Sequence, residues 1–320
     1  MPAKVCLMAG LLAAGAGYLL AGAPIASAHG GIEPGDNILG AWNQNPLTSL
    51  ILFFFAYLYV NGLSRWPNPS RPVSKWQQAS FFAGLLLVFV ALQSPVDPLA
   101  DHQFFVHQIQ HLILRMMAPL LILLGVPLTP MLRGLPRWAL QGMVRPLVRD
   151  RGVRRAYEIF NNPVLTIILF LGALYLWQVP ALHNLSVRNG YVHEFMHFSM
   201  IITGLRFWWM VLDSPPHRAP LHYGLRVLYL GLIVIPNTVL GAGITFNGNL
   251  IYDAYYDFPQ PLGMDPMSDQ QLGGALLWVV GDMMSVVAAG IVMMFWYQRE
   301  QEQDQIDAAS NWTGGPEGRP

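Results

Sequence analysis

The sequence predicts an all-α fold, a polytopic membrane protein built as a bundle of about seven transmembrane helices. Three observations carry this. The 320-residue chain is 53% hydrophobic and only 11% charged, with a mean hydropathy of +0.38, a composition far from that of a soluble domain. Seven apolar stretches, 46–63, 77–95, 103–125, 163–182, 191–212, 221–245 and 271–297, are each about long enough to cross a ~30 Å hydrocarbon core. The basic residues collect in alternate connections between them. The formal net charge is zero, so nothing in the bulk charge points to a nucleic-acid partner.

Residues 1–28 read as a secretory signal: Lys4 in the n-region, an apolar run from Val5 to Leu20, and the small-x-small site Ala26-Ser27-Ala28. Cleavage there leaves His29 at the N-terminus, where an amine and an imidazole together can chelate copper(II), although a chance residue after the cut is the reading preferred, since histidine alone is no specific signal. The single cysteine, Cys6, lies in this leader. The mature chain therefore has no thiolate, and any metal falls to histidine, methionine, carboxylate or backbone oxygen. The helical region occupies 29–298, and 299–320 read as a polar, disordered cytoplasmic tail.

The first connection carries Arg65, Arg71 and Lys75, and the one after the third stretch carries Arg133, Arg137, Arg145, Arg149, Arg151, Arg154 and Arg155. Arg218 follows the fifth. If each stretch crosses once, these share one side, the cytoplasm of a cell (inner/plasma) membrane. The opposite connections hold Asp97, Asp101, Asp253, Asp257, Asp265 and Asp269, with Arg188 as their only basic residue. The mature N-terminus is then extracytoplasmic.

Within that topology the histidines gather at one depth. His107 and His111 fall in the outer half of the third stretch, His193 and His197 near the outer end of the fifth, and His102 and His183 at or just beyond the outer surface. His217 and His222 fall on the opposite side. Each pair is spaced i, i+4, one turn apart on one helix face. Ionisable groups in a membrane span are costly and usually functional, and neutral imidazole binds copper, zinc, iron and nickel. The competing reading is a set of interhelical hydrogen bonds. Met116, Met117, Met196, Met200, Met264 and Met267 lie on or near the same helices; thioethers favour copper(I), but methionine is also a common packing residue.

Other residues shape this region. Pro119 frees the carbonyl of Arg115 and disturbs the helix. Arg115, one turn below His111, is placed to pair with Asp282 of the last stretch. Asp269 stands where an N-cap would open that stretch, and Gly273 and Gly274 permit close helix approach. His193-Glu194-Phe195-Met196-His197 fits H-E-x-x-H, in which Glu194 would be the base of an intramembrane zinc peptidase, with Asp282 after Gly281 as a third ligand. That reading gives His107 and His111 nothing to do. A spacing of four cannot serve two stacked haems, although one haem held between the pairs fits. There is no phosphate-binding G-x-x-x-x-G-K-[ST] loop.

The run QHLILRMMAPLLILLGVP, Gln110 to Pro127, the His183-Asn184 pair followed by HEFMHFSMIITGLRFWW, and DQQLGGALLW from Asp269 to Trp278 together resemble, in order, the motifs of the seven-helix CtaG-type cytochrome c oxidase assembly factors. The resemblance covers roughly 45 to 300. It implies a non-enzymatic membrane protein that matures a haem–copper oxidase by handling copper, with oxidase subunits and a copper chaperone as partners. Carried onto this chain, its patterned residues are His107, His111, His183, His193, His197 and Asp269, the candidate metal residues. Arg115-Met116-Met117 stand where the pattern leads one to expect plainer apolar residues.

Overall fold

The computed structural model describes residues 37–43, 45–66, 72–257 and 260–312; the leader, its cleavage site and His29 lie outside them. Among the described residues every regular element is a helix. Seven principal helices cover the seven apolar stretches: α1 Pro46–Ser64, α2 Lys75–Gln93, α3 Phe104–Leu124, α4 Pro163–Gln178, α5 Gly190–Val211, α6 Tyr223–Thr245 and α7, which opens at Pro266 and runs to Trp312. Their starts follow local chemistry. Asn45, Asn162, Asn189 and Asp265 accept backbone N–H groups at the N-termini of α1, α4, α5 and α7, and Ser74 forms a reciprocal capping box with Gln77 at α2. Pro46, Pro163 and Pro266 sit in first turns, where no N–H is needed.

Length and hydropathy qualify five helices as membrane spans, α1, α2, α3, α6 and α7, or six if Arg151–Phe160 and α4, bent by 66°, form one span. The expected count of seven is therefore not reached on these criteria. α4 has only 16 residues. α5 is long enough at 22, but His193, Glu194, His197 and Arg206 dilute its apolar character. Two of these four, His193 and His197, are residues of the candidate site. The C-terminal end also departs from expectation: residues 299–312, read as a disordered tail, continue the last helix.

α3 is the central helix, with 61% of its apolar window buried against 28–33% for the other spans. It is not regular throughout. Ile113–Met117 form a π turn in which the Ala118 N–H reaches back to the Ile113 carbonyl, so the disturbance expected from Pro119 appears one turn ahead of it. The Arg115 carbonyl lies against Gly204 of α5, where a Cβ would come within 2.2 Å of its oxygen. Only glycine lets the two histidine-bearing helices meet here. Gly273 and Gly274 do the same for α7, the first against Phe104 and the second against Thr245.

Away from the histidines the bundle is held by apolar and aromatic packing. Phe170, Phe207 and Tyr229 stack in series at 4.3 and 5.3 Å between ring centroids, and such rings contribute both area and specific geometry. At the same end Arg226 of α6 grips Asp213 through two 3.0 Å bonds and also donates to the Val211 and Leu221 carbonyls, tying the end of α5 to the start of α6.

Candidate metal centre

All five histidines singled out in the sequence meet in one place. Ring centroids lie 4.3 Å apart within each i, i+4 pair. Between elements His107 lies 5.1 Å from His183, 5.1 Å from His193 and 6.0 Å from His197, and His111 lies 5.8 Å from His197. α3 and α5 each supply a pair, and the short helix Pro180–Arg188 supplies His183. His183 is fully buried rather than at the outer surface, as are His107, His111 and His197 within a few per cent. His102, expected beside them at the surface, is also buried and bonds the Pro98 carbonyl at 2.7 Å.

The tightest group is His107, His111 and His197, each with a ring nitrogen within 4.8 Å of the others. Both nitrogens of His111, and Nε2 of His107 and of His197, are buried with no hydrogen-bond partner among the described residues. Buried polar atoms are nearly always paired, and an unpaired one costs about 1–3 kcal/mol. One nitrogen from each of the three rings can face a common centre, a buried all-imidazole group that could hold a metal ion, with no carboxylate in it.

Surrounding groups fix the orientation of one ligand. Nδ1 of His183 lies 2.9 Å from the Trp177 carbonyl, Nε2 of His183 lies 2.8 Å from the Tyr255 hydroxyl, and that hydroxyl lies 2.7 Å from Nδ1 of His107. Burial holds the His183 imidazole down at about 4, against the pull of the Trp177 carbonyl, so the ring is neutral near pH 7. The protons then follow in one order. A carbonyl only accepts, so His183 donates from Nδ1. Its Nε2 accepts from the Tyr255 O–H, and the Tyr255 oxygen accepts from Nδ1–H of His107. Nε2 of His107 is left with a lone pair pointing into the cluster, the usual way an outer group sets the tautomer of a metal-binding histidine. Tyr255 lies in the connection between α6 and α7, where no periodicity marks it, and it was not among the residues read from the sequence. Asp101 was read only as an outer-loop charge. It is buried, with its Oδ1 3.6 Å from Nδ1 of His193.

Asp269 does not open α7, whose N-cap is Asp265. Its carboxylate accepts the backbone N–H groups of Phe104 and Phe105 at 2.8 Å each, capping α3, where the side chain of the N-cap residue Gln103 makes no such bond. Asp269 thus holds the helix that carries His107 and His111, and both oxygens are committed to that task. The expected Arg115–Asp282 ion pair is also absent. Arg115 lies over the Phe170 ring at 3.8 Å and near its carbonyl, while Asp282 is held by Asn237 and Thr238 of α6. Both line one small cavity under His111, so the two charges share a chamber without touching.

Glu194, the base in the peptidase reading, is exposed and accepts a hydrogen bond from Asn45 at 2.9 Å. The turn of helix that buries His193 and His197 directs Glu194 elsewhere. Met196 and Met200 are fully buried against Trp177, and Met116 packs in the apolar core, so packing accounts for all three. Asp253 and Asp257 face Arg188 at 3.7 and 2.8 Å, which partly neutralises the acidic connection between α6 and α7.

No solved structure matches the chain. Among curated proteins it is similar to an uncharacterized protein of Mycobacterium leprae, 23% identical over 272 residues, covering 81% of this chain and 40% of the relative. Uncharacterized proteins of Mycobacterium bovis and Mycobacterium tuberculosis show the same identity over 82% of this chain and again 40% of theirs. The chain therefore spans less than half the length of these relatives. The sequence profile of the cytochrome c oxidase caa3 assembly factors matches residues 55–299, a region that holds every helix contributing to the histidine cluster. The chain belongs to the cytochrome c oxidase caa3 assembly factor family.

Proposed function

We propose that this chain takes part in oxidase assembly by holding copper(I) as cargo at the extracytoplasmic end of its bundle, in a cell (inner/plasma) membrane, and passing it to an oxidase subunit. The observation that carries the reading is the convergence of one ring nitrogen each from His107, His111 and His197, within 4.8 Å of one another, in a buried group where Nε2 of His107 and of His197 and both nitrogens of His111 lack a hydrogen-bond partner among the described residues. His193 adjoins them as a further ligand, and His183 acts through Tyr255 on His107. Imidazole binds copper among other metals, and a set without thiolate suits a cargo that has to be released again. Family membership supports the assembly role, and a copper chaperone is the expected donor.

Metal analysis by mass spectrometry tests this on detergent-purified protein supplied with copper(I) and washed. Wild type is expected to retain copper in a fixed ratio, and His107→Ala/His197→Ala to lose it while keeping its melting temperature. Zinc retained in place of copper would overturn the identity of the cargo. No metal on either protein would overturn the site. Oxidase maturation should fail in the same double variant but survive Glu194→Gln, because Glu194 stands outside the cluster.

A further inference from the structure

At the opposite end of the bundle from the histidines lies a segment that the metal chemistry does not use. Arg137–Ala139, Leu140–Val144, Arg145–Arg149 and Arg151–Phe160 form a helical stretch between the end of the α3 region and the start of α4. These helices pack chiefly on one another and on α4. Trp138, Met143, Leu147, Val148, Tyr157 and Phe160 are nevertheless each more than half exposed, an apolar surface that isolated solvent does not explain.

The positive charge of the same segment is equally uncovered. Arg137, Arg145, Arg149, Arg151, Arg154 and Arg155 face only Asp150 and Glu158 as acids, and no ion pair joins any of them among the described residues. Asp150 is occupied capping Arg151–Phe160. Along that helix Val153, Tyr157 and Phe160 fall at i, i+4 and i+7, one face, with the arginines on the other. Arg206 of α5 holds the Phe160 carbonyl and lies over its ring, so the helix is fastened to the bundle at the level where the spans end. Arg145 and Arg149, one turn apart, line a shallow concavity with Gln141 and Pro146.

We propose that this segment is a binding site for anionic phospholipid in the leaflet opposite the histidine cluster: its apolar face lies in the headgroup–acyl boundary, and Arg145 and Arg149 grip a lipid phosphate. Amphipathic basic helices seat themselves in this way, anionic headgroups attract clustered arginine, and the planar guanidinium matches phosphate two bonds at a time. The helices already lie beside the bilayer because both ends of the segment join helices of the bundle. Lipid at the interface meets both demands at once, the uncovered apolar face and the uncovered charge.

Native mass spectrometry of the full chain, released from detergent and titrated with phosphatidylglycerol or phosphatidylcholine, tests the site. Wild type is expected to prefer phosphatidylglycerol, and R145E/R149E to lose about tenfold of that preference, with R145K/R149K keeping most of it. Melting in phosphatidylcholine nanodiscs checks that the variants fold. If R145E/R149E does not fold, R145Q/R149Q replaces it with the same expected direction. Equal binding of the two lipids by wild type overturns the proposal, as does a preference that survives both substitutions. Displacement of the lipid by millimolar inorganic phosphate would make it a free-anion site, and a dimer lost in the variant would make it an interface between copies; either result overturns the lipid assignment.

Discussion

The two ends of this bundle handle buried polar groups in opposite ways. At one end Arg226 spends its donors on Asp213 and on the Val211 and Leu221 carbonyls. At the other, four ring nitrogens of His107, His111 and His197 have no hydrogen-bond partner among the described residues. A satisfied network fixes two helices to each other and does nothing further. An unsatisfied one of the same burial is held open at a cost in stability, and the packing around it has to supply what it withholds. Asp269 capping α3 and Gly204 admitting the Arg115 carbonyl are the two contacts that hold the histidine end in shape.

The largest expected effect comes from breaking the first of these. Asp269→Ala strands one buried and one partly buried N–H group at the start of α3 and should cost about 1–3 kcal/mol, read as a lower unfolding midpoint together with loss of the proposed copper binding. If copper stayed at full ratio, Asp269 would not be what positions the pair. Gly204→Ala comes next. A methyl there collides with the Arg115 carbonyl and should cost about 1–3 kcal/mol by overpacking, with metal affinity falling in step as α3 and α5 separate. Chemical denaturation and a copper titration on the same preparation check both.

Tyr255→Phe sharpens the contrast without touching a helix contact. It removes only the hydroxyl between His183 and His107, so metal affinity should fall about 10–100-fold, and stability without metal should fall by about 1–3 kcal/mol from the ring nitrogens left unpaired. A loss of stability with metal affinity unchanged would mean that the tyrosine only holds the fold and does not orient His107.

The smallest effect is a difference in pH dependence. Burial pushes Asp97 up to about 7, with the Asp101 charge adding, against the hydrogen bonds from Asn43 and Gln110. Its folded value lies above its unfolded one, so its contribution is full below about 4 and is lost as pH rises towards 7. Asp213 behaves in reverse. Burial alone would raise it, but the bonds from Arg226 win and hold it below its usual range, so its contribution is present at neutral pH and is lost as pH falls through that lowered value. Melting temperature in detergent should therefore decline between pH 4 and 7 by a component that Asp97→Asn abolishes and Asp213→Asn leaves in place.

Much of this was legible in the chain. Apolar runs located the starts of α1 to α6 within a few residues, because hydropathy is a local property, whereas the last helix opens at Pro266 with Asp265 as its cap, ahead of the expected Asp269. The i, i+4 spacing and the alternation of arginine with aspartate put four histidines at one depth, and the structure brings those four together. Span counting was less secure: His193, Glu194, His197 and Arg206 together dilute the apolar signal of α5, and α4 is short. The roles of Asp269, Arg115 and Asp282 were misjudged for one shared reason. Arg115 and Asp282 were paired by depth along the membrane normal and Asp269 was read as a cap from its place in the sequence, while the direction in which a helix turns its side chains decides which neighbour is reached.

The sequence by itself determined the class of fold, the end of the bundle that carries the histidines and the end that carries the arginines, because hydropathy, caps and charge bias act on neighbouring residues. Only the tertiary structure decided that three imidazoles close on one point, that Tyr255 from an aperiodic connection sets the tautomer of His107, and that Asp269 serves α3 instead of α7. Those contacts join residues separated by up to 165 positions, and their partners are set by helix rotation and close glycine crossings, which no local pattern along the chain encodes.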